Sequence, residues 1–262
     1  MFRGRGKKVA AAAGASVVMA MTSLAVVPLV ASASGTGTAT ALTATPTHTA
    51  TGNPITISAQ VSVPVTQNAD IPTGTVLFTI TGHNHSTVSC SKGNSKAISG
   101  SGLAQCKVAA GLLQGAASPY TIEGAYSGDS NFASSSGTTT ETVTAAKTKM
   151  KLTVKPAVKN DSANTFTATL TAKKATKLLA GQQVVFSVSD VPPTKNAKRI
   201  CAGGDSVTVI VKKKVATAKC LLAAGWFTLP KHTPEATWDV TASLGTSANF
   251  VGKTETLNGM LN

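Results

Sequence analysis

Side chains that do chemistry are scarce in this sequence. Only ten Asp or Glu and four His occur among 262 residues. The acids are scattered singly, with no pair recurring at a spacing suited to glycoside hydrolysis. Gly-x-Ser-x-Gly, His-Glu-x-x-His and Gly-rich phosphate loops are missing, and with them the commonest hydrolase, metalloprotease and nucleotide-binding signatures. There is no Cys-x-x-Cys, and no His stands close to either cysteine pair, so the cysteines read as bridges and not as metal ligands. Aromatics make up 4% of the chain, and none is interleaved with the lysines, which argues against stacking on nucleic-acid bases. Apolar residues spaced three and four apart are almost absent, so few helices are expected. The expectation is a non-enzyme that needs no cofactor or metal.

One long hydrophobic run is present, at the N-terminus. Arg3, Arg5, Lys7 and Lys8 precede an apolar stretch from Val9 to Ala31, and Ala31-Ser32-Ala33 supplies the small residues of a cleavage site. Residues 1–33 therefore read as a secretory signal peptide. The competing reading is an uncleaved membrane anchor, since the stretch is long enough to span a bilayer. The tail from Leu257 to Asn262 shows no second span and no sorting motif. The expected mature chain is extracellular, without a stable membrane span, and either released or held at the cell surface by non-covalent contacts.

From residue 34 onward Thr, Ser, Val and Gly dominate, in period-two alternation. Ile55, Ile57, Ala59, Val61 and Val63 alternate, as do Phe166, Ala168, Leu170 and Ala172, while Val76, Phe78 and Ile80 match Val184, Phe186 and Val188. Such runs between turn residues predict antiparallel strands with one buried face. In the first half they fall near 38–44, 54–63, 74–81, 86–91, 95–98, 103–109, 119–127 and 137–143. In the second they fall near 147–155, 163–172, 182–189, 197–201, 206–211, 215–222, 236–244 and 252–257. The halves also share landmarks. Tyr120 and Trp238 each stand twelve residues before the Phe of an Asn-Phe pair, Asn131-Phe132 and Asn249-Phe250. This order predicts an all-β chain of two tandem immunoglobulin-like sandwiches, residues 34–144 and 145–262, lying end to end across a very short link. A single large barrel is the alternative. Four cysteines permit three pairings, and the repeat argues for one bridge per half, Cys90–Cys106 and Cys201–Cys220.

Two motifs carry a family resemblance. Pro72-Thr-Gly-Thr-Val-Leu-Phe78 and Tyr120-Thr-Ile-Glu-Gly-Ala-Tyr-Ser-Gly-Asp-Ser-Asn-Phe132 resemble the bacterial Ig-like repeats of secreted and surface proteins. Those repeats read Pro-x-Gly-x-Val-x-Phe, then Tyr-x-Gly-Asp, then Asn-Phe or a similar pair. In the second half Leu244-Gly-Thr-Ser-Ala-Asn-Phe250 stands in for the longer run and lacks its Tyr and Asp. The resemblance implies a spacer, an adhesive module or a carbohydrate-binding accessory, and no catalytic residues.

Charge is divided unevenly. Residues 34–144 hold three Lys and four acids for a net of −1, whereas residues 145–262 hold 17 Lys or Arg against six acids for a net of +11. Lys147, Lys149, Lys151 and Lys155 share one face of a predicted strand, Lys173, Lys174 and Lys177 follow the next strand, Lys195, Lys198 and Arg199 form a later cluster, and Lys212, Lys213 and Lys214 mark a hairpin tip. Two readings compete. Lysines on exposed strands keep sheets soluble and their edges unpaired. Alternatively, Lys147, Lys149, Lys151, Lys173, Lys174, Lys212, Lys213 and Lys214 form a surface for an anionic cell-wall polymer or polysaccharide. The function expected is thus a structural or adhesive one at the cell surface, or attachment to the envelope through the basic half. Smaller candidates are His83-Asn84-His85, read as loop histidines or as a weak metal pair, and Asp129-Ser130-Asn131, read as a turn or as part of a calcium loop. Trp226-Phe227 is either core or an exposed contact patch.

Overall fold

The computed structural model describes residues 35–64, 70–189, 201–229, 231–232 and 235–261. The signal-peptide reading of residues 1–33, the basic cluster Lys195, Lys198 and Arg199, and most of the strand expected at 197–201 lie outside these residues. Within them the chain is all-β apart from two short 3-10 turns, Gly115–Ala117 and Thr176–Leu179.

The first half contains β1 (Ala39–Thr45), β2 (His48–Ala50), β3 (Ile55–Ser62), β4 (Thr75–Gly82), β5 (Thr87–Val88), β6 (Ser95–Ala97), β7 (Leu103–Val108), β8 (Tyr120–Tyr126) and β9 (Ser135–Thr144). Strands β1, β3 and β7 form one antiparallel sheet, and β2, β9, β8, β4 and β5 form the other, with β6 pairing the far end of β4. Every second residue points into the space between them: Ile55, Ile57, Ala59 and Val61 from one sheet, and Val76, Phe78, Ile80, Tyr120, Ile122 and Tyr126 from the other, all at most 3% exposed. Burial on that scale stabilises by about 1.5–3 kcal/mol for each large side chain, which is why the pattern can dictate the register. The first strand changes sheets at Pro46, beyond which β2 runs parallel to β9. Where β1 crosses β9 the chains nearly touch. A Cβ on Gly137 would collide with the Thr40 carbonyl.

The second half contains β10 (Ala146–Lys155), β11 (Asn164–Ala172), β12 (Gln183–Ser189), β13 (Ser206–Thr208), β14 (Ile210–Lys212), β15 (Val215–Leu222), β16 (Ala236–Leu244), β17 (Phe250–Val251) and β18 (Lys253–Leu261). Its sheets run β14-β15-β11-β10-β17 and β13-β12-β16-β18. Among the described residues no ladder joins strands of different halves, and the buried apolar residues gather in two separate clusters, one per half. The second cluster centres on Phe166, Phe227 and Trp238, whose rings lie 5.5–6.0 Å apart in tilted and edge-on geometry. Phe227 is fully buried and Trp226 packs partly buried against the same core, so this pair is packing, not an exposed patch.

Three sequence expectations need correction. The single strand expected at 206–211 is two strands in different sheets. Val209 between them is buried and bonds across to Gln182 and Gly181, so the chain changes sheets at that residue. Strands β2 and β17 add to the expected set, because two or three residues are too few to show a period. Finally, β18 continues past residue 257 to Leu261, held by nine ladder partners on β16.

Cys90 is bonded to Cys106 and Cys201 to Cys220, each bridge inside one half. Closing loops of 16 and 19 residues stabilises by about 3 kcal/mol each in the chain-entropy account. Replacing both cysteines of either pair by Ser should lower unfolding stability by about that amount, as read from urea melts followed by circular dichroism.

Glu141 on β9 is the unusual buried group. It is fully buried, and neither carboxylate oxygen has a hydrogen-bond partner. Burial pushes its pKa up, with the charge of His48, then the Thr49 backbone, pulling the other way. A carboxyl whose folded pKa exceeds its unfolded one is best tolerated when protonated. Stability should therefore fall as pH rises from about 4.5 through the raised folded value. Glu141→Gln should flatten that fall, so the gap in Tm between E141Q and the parent chain should open with rising pH. A gap independent of pH would assign the effect to packing alone.

Candidate functional site: the junction and its lysines

The link between the halves is the single residue Ala145, and both of its neighbours are gripped. The carbonyl of Thr144 accepts hydrogen bonds from Thr51 N (2.8 Å) and Thr51 Oγ1 (3.1 Å). The N–H of Ala146 donates to the carbonyl of Asn249 (2.9 Å). The side chain of Asn249 then reaches into the first half: Ala116 N donates to its Oδ1 (3.0 Å), and its Nδ2 donates to Gln114 Oε1 (3.4 Å). Gly115 sits between those partners because a Cβ there would run into the Ala248 carbonyl.

The Asn-Phe loop of the first half has the same backbone plan with other side chains. Thr36 N donates to the Asn131 carbonyl (2.8 Å), and Thr36 bridges Phe132 as Ala146 pairs with Phe250. Here Asp129 locks the loop. Its Oδ2 accepts from Thr73 Oγ1 (2.7 Å) and Thr73 N (2.8 Å), and its Oδ1 accepts from Asn131 N (2.8 Å) and Phe132 N (2.9 Å). The Thr73 hydroxyl, then the Thr73 N–H, hold the carboxyl well below the usual carboxylate range. Burial, then the charge of Asp129, push the Tyr126 phenol up to about 12. The two motifs Pro-Thr-Gly and Gly-Asp-Ser-Asn-Phe thus occur together because one aspartate staples them. With four donors on its two oxygens, Asp129 serves as a loop lock. His83 and His85 stand exposed in the turn between β4 and β5. Among the described residues no three His, Cys, Asp or Glu gather as a metal site would require.

The lysines sort into three groups. Along β10 the residues Ala146, Thr148, Met150 and Leu152 face inward, which turns Lys147, Lys149 and Lys151 to solvent. Lys149 lies opposite Thr171 and Lys151 opposite Thr169 on β11. Lys147, Lys149, Lys173 and Lys174 line a cleft of about 560 Å³. Lys174, Lys177 and Lys214 line a second cleft of about 540 Å³, whose opposite wall is Leu112 with Gly111 and Ala110 from the first half. Lys174 and Thr176 belong to both, so the clefts adjoin. Lys151, Lys212 and Lys213 line neither. Lys177 joins the candidates because its 3-10 turn carries it in. Nothing in the sequence around residues 110–112 marked that stretch as a wall of the site, since it is uncharged and meets the lysines only through the fold. Among the described residues Lys253 pairs with Glu255 at 2.9 Å, and no acid is paired with a cleft lysine.

Replacing Asp129 by Asn should remove the lock without changing loop length. Because its folded pKa is depressed, Asp129 contributes stability above its ordinary value near 3.8 that is lost as pH falls through the folded one. D129N should therefore melt below the parent chain at neutral pH, and the two curves should converge in strong acid. Curves that stayed parallel down to strong acid would contradict this role.

The chain resembles several solved structures. The adhesin InvE of Yersinia pseudotuberculosis is 17% identical, with a TM-score of 0.43 over 85% of this chain and 58% of that one. Escherichia coli alpha-2-macroglobulin activated by porcine elastase is 10% identical, with a TM-score of 0.35 over 87% of this chain and 22% of that one. Bovine butyrophilin is 8% identical, with a TM-score of 0.29 over 84% of this chain and 97% of that one. The chain thus spans less than two thirds of the adhesin and a smaller part of the macroglobulin. No curated protein matches it. Residues 42–144, which hold nearly all strands of the first half and both stapled motifs, match the family described as Bacterial Ig-like domain (group 3).

Proposed function

We propose that the chain is a secreted, non-catalytic protein of two tandem Ig-like domains, residues 34–144 and 145–262, behind a cleaved signal peptide at 1–33, with a structural or adhesive role at the cell surface. The observation that carries this reading is the junction. Asn249 gives its side chain to the first half, and Thr51 grips the link, an investment that serves a molecule whose two parts must keep a fixed relation, as a spacer does. Asp129 serves structure as well, saturated by four donors. Among the described residues no helix is long and apolar enough to cross a membrane.

A second reading has its own support. The basic half gathers unpaired lysines around two adjoining clefts, which suits attachment to an anionic envelope polymer or polysaccharide.

Expression in a Gram-positive host, followed by fractionation and N-terminal mass spectrometry, tests the first reading. The protein should leave the cytoplasm and begin near Ser34. Recovery inside the cell with residues 1–33 intact would overturn it. For the second reading, the protein should stay on isolated cell envelope at low salt and elute by a few hundred millimolar, where screening acts over less than about 10 Å.

A further inference from the structure

We propose that the two adjoining lysine clefts form one groove that holds an extended polyanionic polymer strand across the junction of the halves. This deepens the attachment reading above by naming the site and the shape of its ligand. Six lysines reach the groove from four separate segments: Lys147 and Lys149 from β10, Lys173 and Lys174 from the turn after β11, Lys177 from the 3-10 turn, and Lys214 from the β14–β15 turn. Each cleft alone has the volume of a small-ligand site, but the charge runs the length of both, so a compact anion would meet only part of it. Residues two apart on a strand stand about 7 Å apart, which places Lys147 and Lys149 at a spacing that a polymer with one charge per repeat can follow. Concave walls focus the field of unpaired charges and raise the local concentration of anions.

The backbone supplies positions for a test, since left-handed lysines occur inside the groove and also outside it, at Lys92 and Lys213. Lys174 and Lys214 occupy the left-handed region, at φ of 62° and 67°, which a side chain with a Cβ disfavours relative to Gly. Both line the groove, and Lys174 lies where its two parts meet. At these turns the chain carries a cation where Gly or Asn would fold better. Lys213, beside Lys214 in the same turn, is also left-handed, at φ 48°, and lines neither cleft. It is therefore a matched control.

The test uses the full-length chain and inorganic polyphosphate, with binding read by isothermal titration calorimetry at low ionic strength and stability read by Tm. Lys174→Gly and Lys214→Gly should each raise Tm and weaken binding about fivefold, and the double variant roughly 25-fold. Lys213→Gly should raise Tm and leave binding within twofold of the parent chain. A merely structural role for Lys174 and Lys214 would move Tm without moving affinity, and that outcome overturns the proposal. Equal weakening by Lys213→Gly would also overturn it, because diffuse charge would then suffice. If Lys151→Gln with Lys219→Gln, on the open face of the same sheet, weakens binding while the glycine variants do not, the groove fails and attachment through the basic half stands. If the parent chain binds neither polyphosphate nor isolated envelope, both fail.

Discussion

The hydrogen bonds that hold the one-residue link between β9 and β10 set the terms for the rest of the molecule. Thr51 takes the Thr144 carbonyl from one side, and the Asn249 carbonyl takes the Ala146 N–H from the other. A link this short leaves no flexible chain to absorb misfit, so the surfaces on either side must fit directly. They do so through small or glycine residues, with Gly115 against the Ala248 backbone and Gly52 against Ala175. That approach brings the uncharged 110–112 stretch of one half over the Lys174 turn of the other. The candidate groove is a consequence of the link.

The two Asn-Phe loops show how one backbone plan can take different side-chain work. In both, the Asn carbonyl receives a backbone N–H from the segment that opens its half, Thr36 ahead of β1 or Ala146 at the start of β10, which fixes the loop against that segment. In the first half the interior of the loop is held by Asp129, whose charge is balanced by four donors and not by a cation. In the second, the Ser247 hydroxyl accepts the N–H of Phe250, the counterpart of Phe132, and the Thr246 hydroxyl accepts that of Gly252. Neutral hydroxyls do this with less strength than a carboxylate. The exchange leaves a half already at +11 without a local anion at the junction, and leaves the Asn249 side chain to reach across.

The strands were legible because each half buries one face of each sheet, and a two-residue period has no other stable use in a chain this poor in helix formers. Val76, Phe78 and Ile80 could be placed inward from their spacing alone, and they are at most 1% exposed. The pairing of the cysteines was legible because each pair holds the same place in its repeat. Val209 was not, since an apolar residue in an apolar run gives no sign that the chain leaves one sheet for another there. The role of Asp129 was half legible: Gly-Asp marks a turn, but Thr73, which engages one of its oxygens, lies 56 residues away.

By itself the sequence determined an all-β chain, strands near their observed places, one cysteine pair per half and a basic second half, because these follow from local period, spacing and composition. Tertiary structure alone decided which lysines meet. Lys149 and Lys151 are indistinguishable along β10, yet only Lys149 borders a cleft, because the turn carrying Lys173 and Lys174 closes over one end of the strand. Likewise Lys213 and Lys214 are adjacent and alike, and only the twist of a two-residue turn sends Lys214 toward Leu112. Charge is written in the sequence, but its convergence depends on distances between segments far apart in the chain, and those exist only once both cores have packed and the short link has set them against each other.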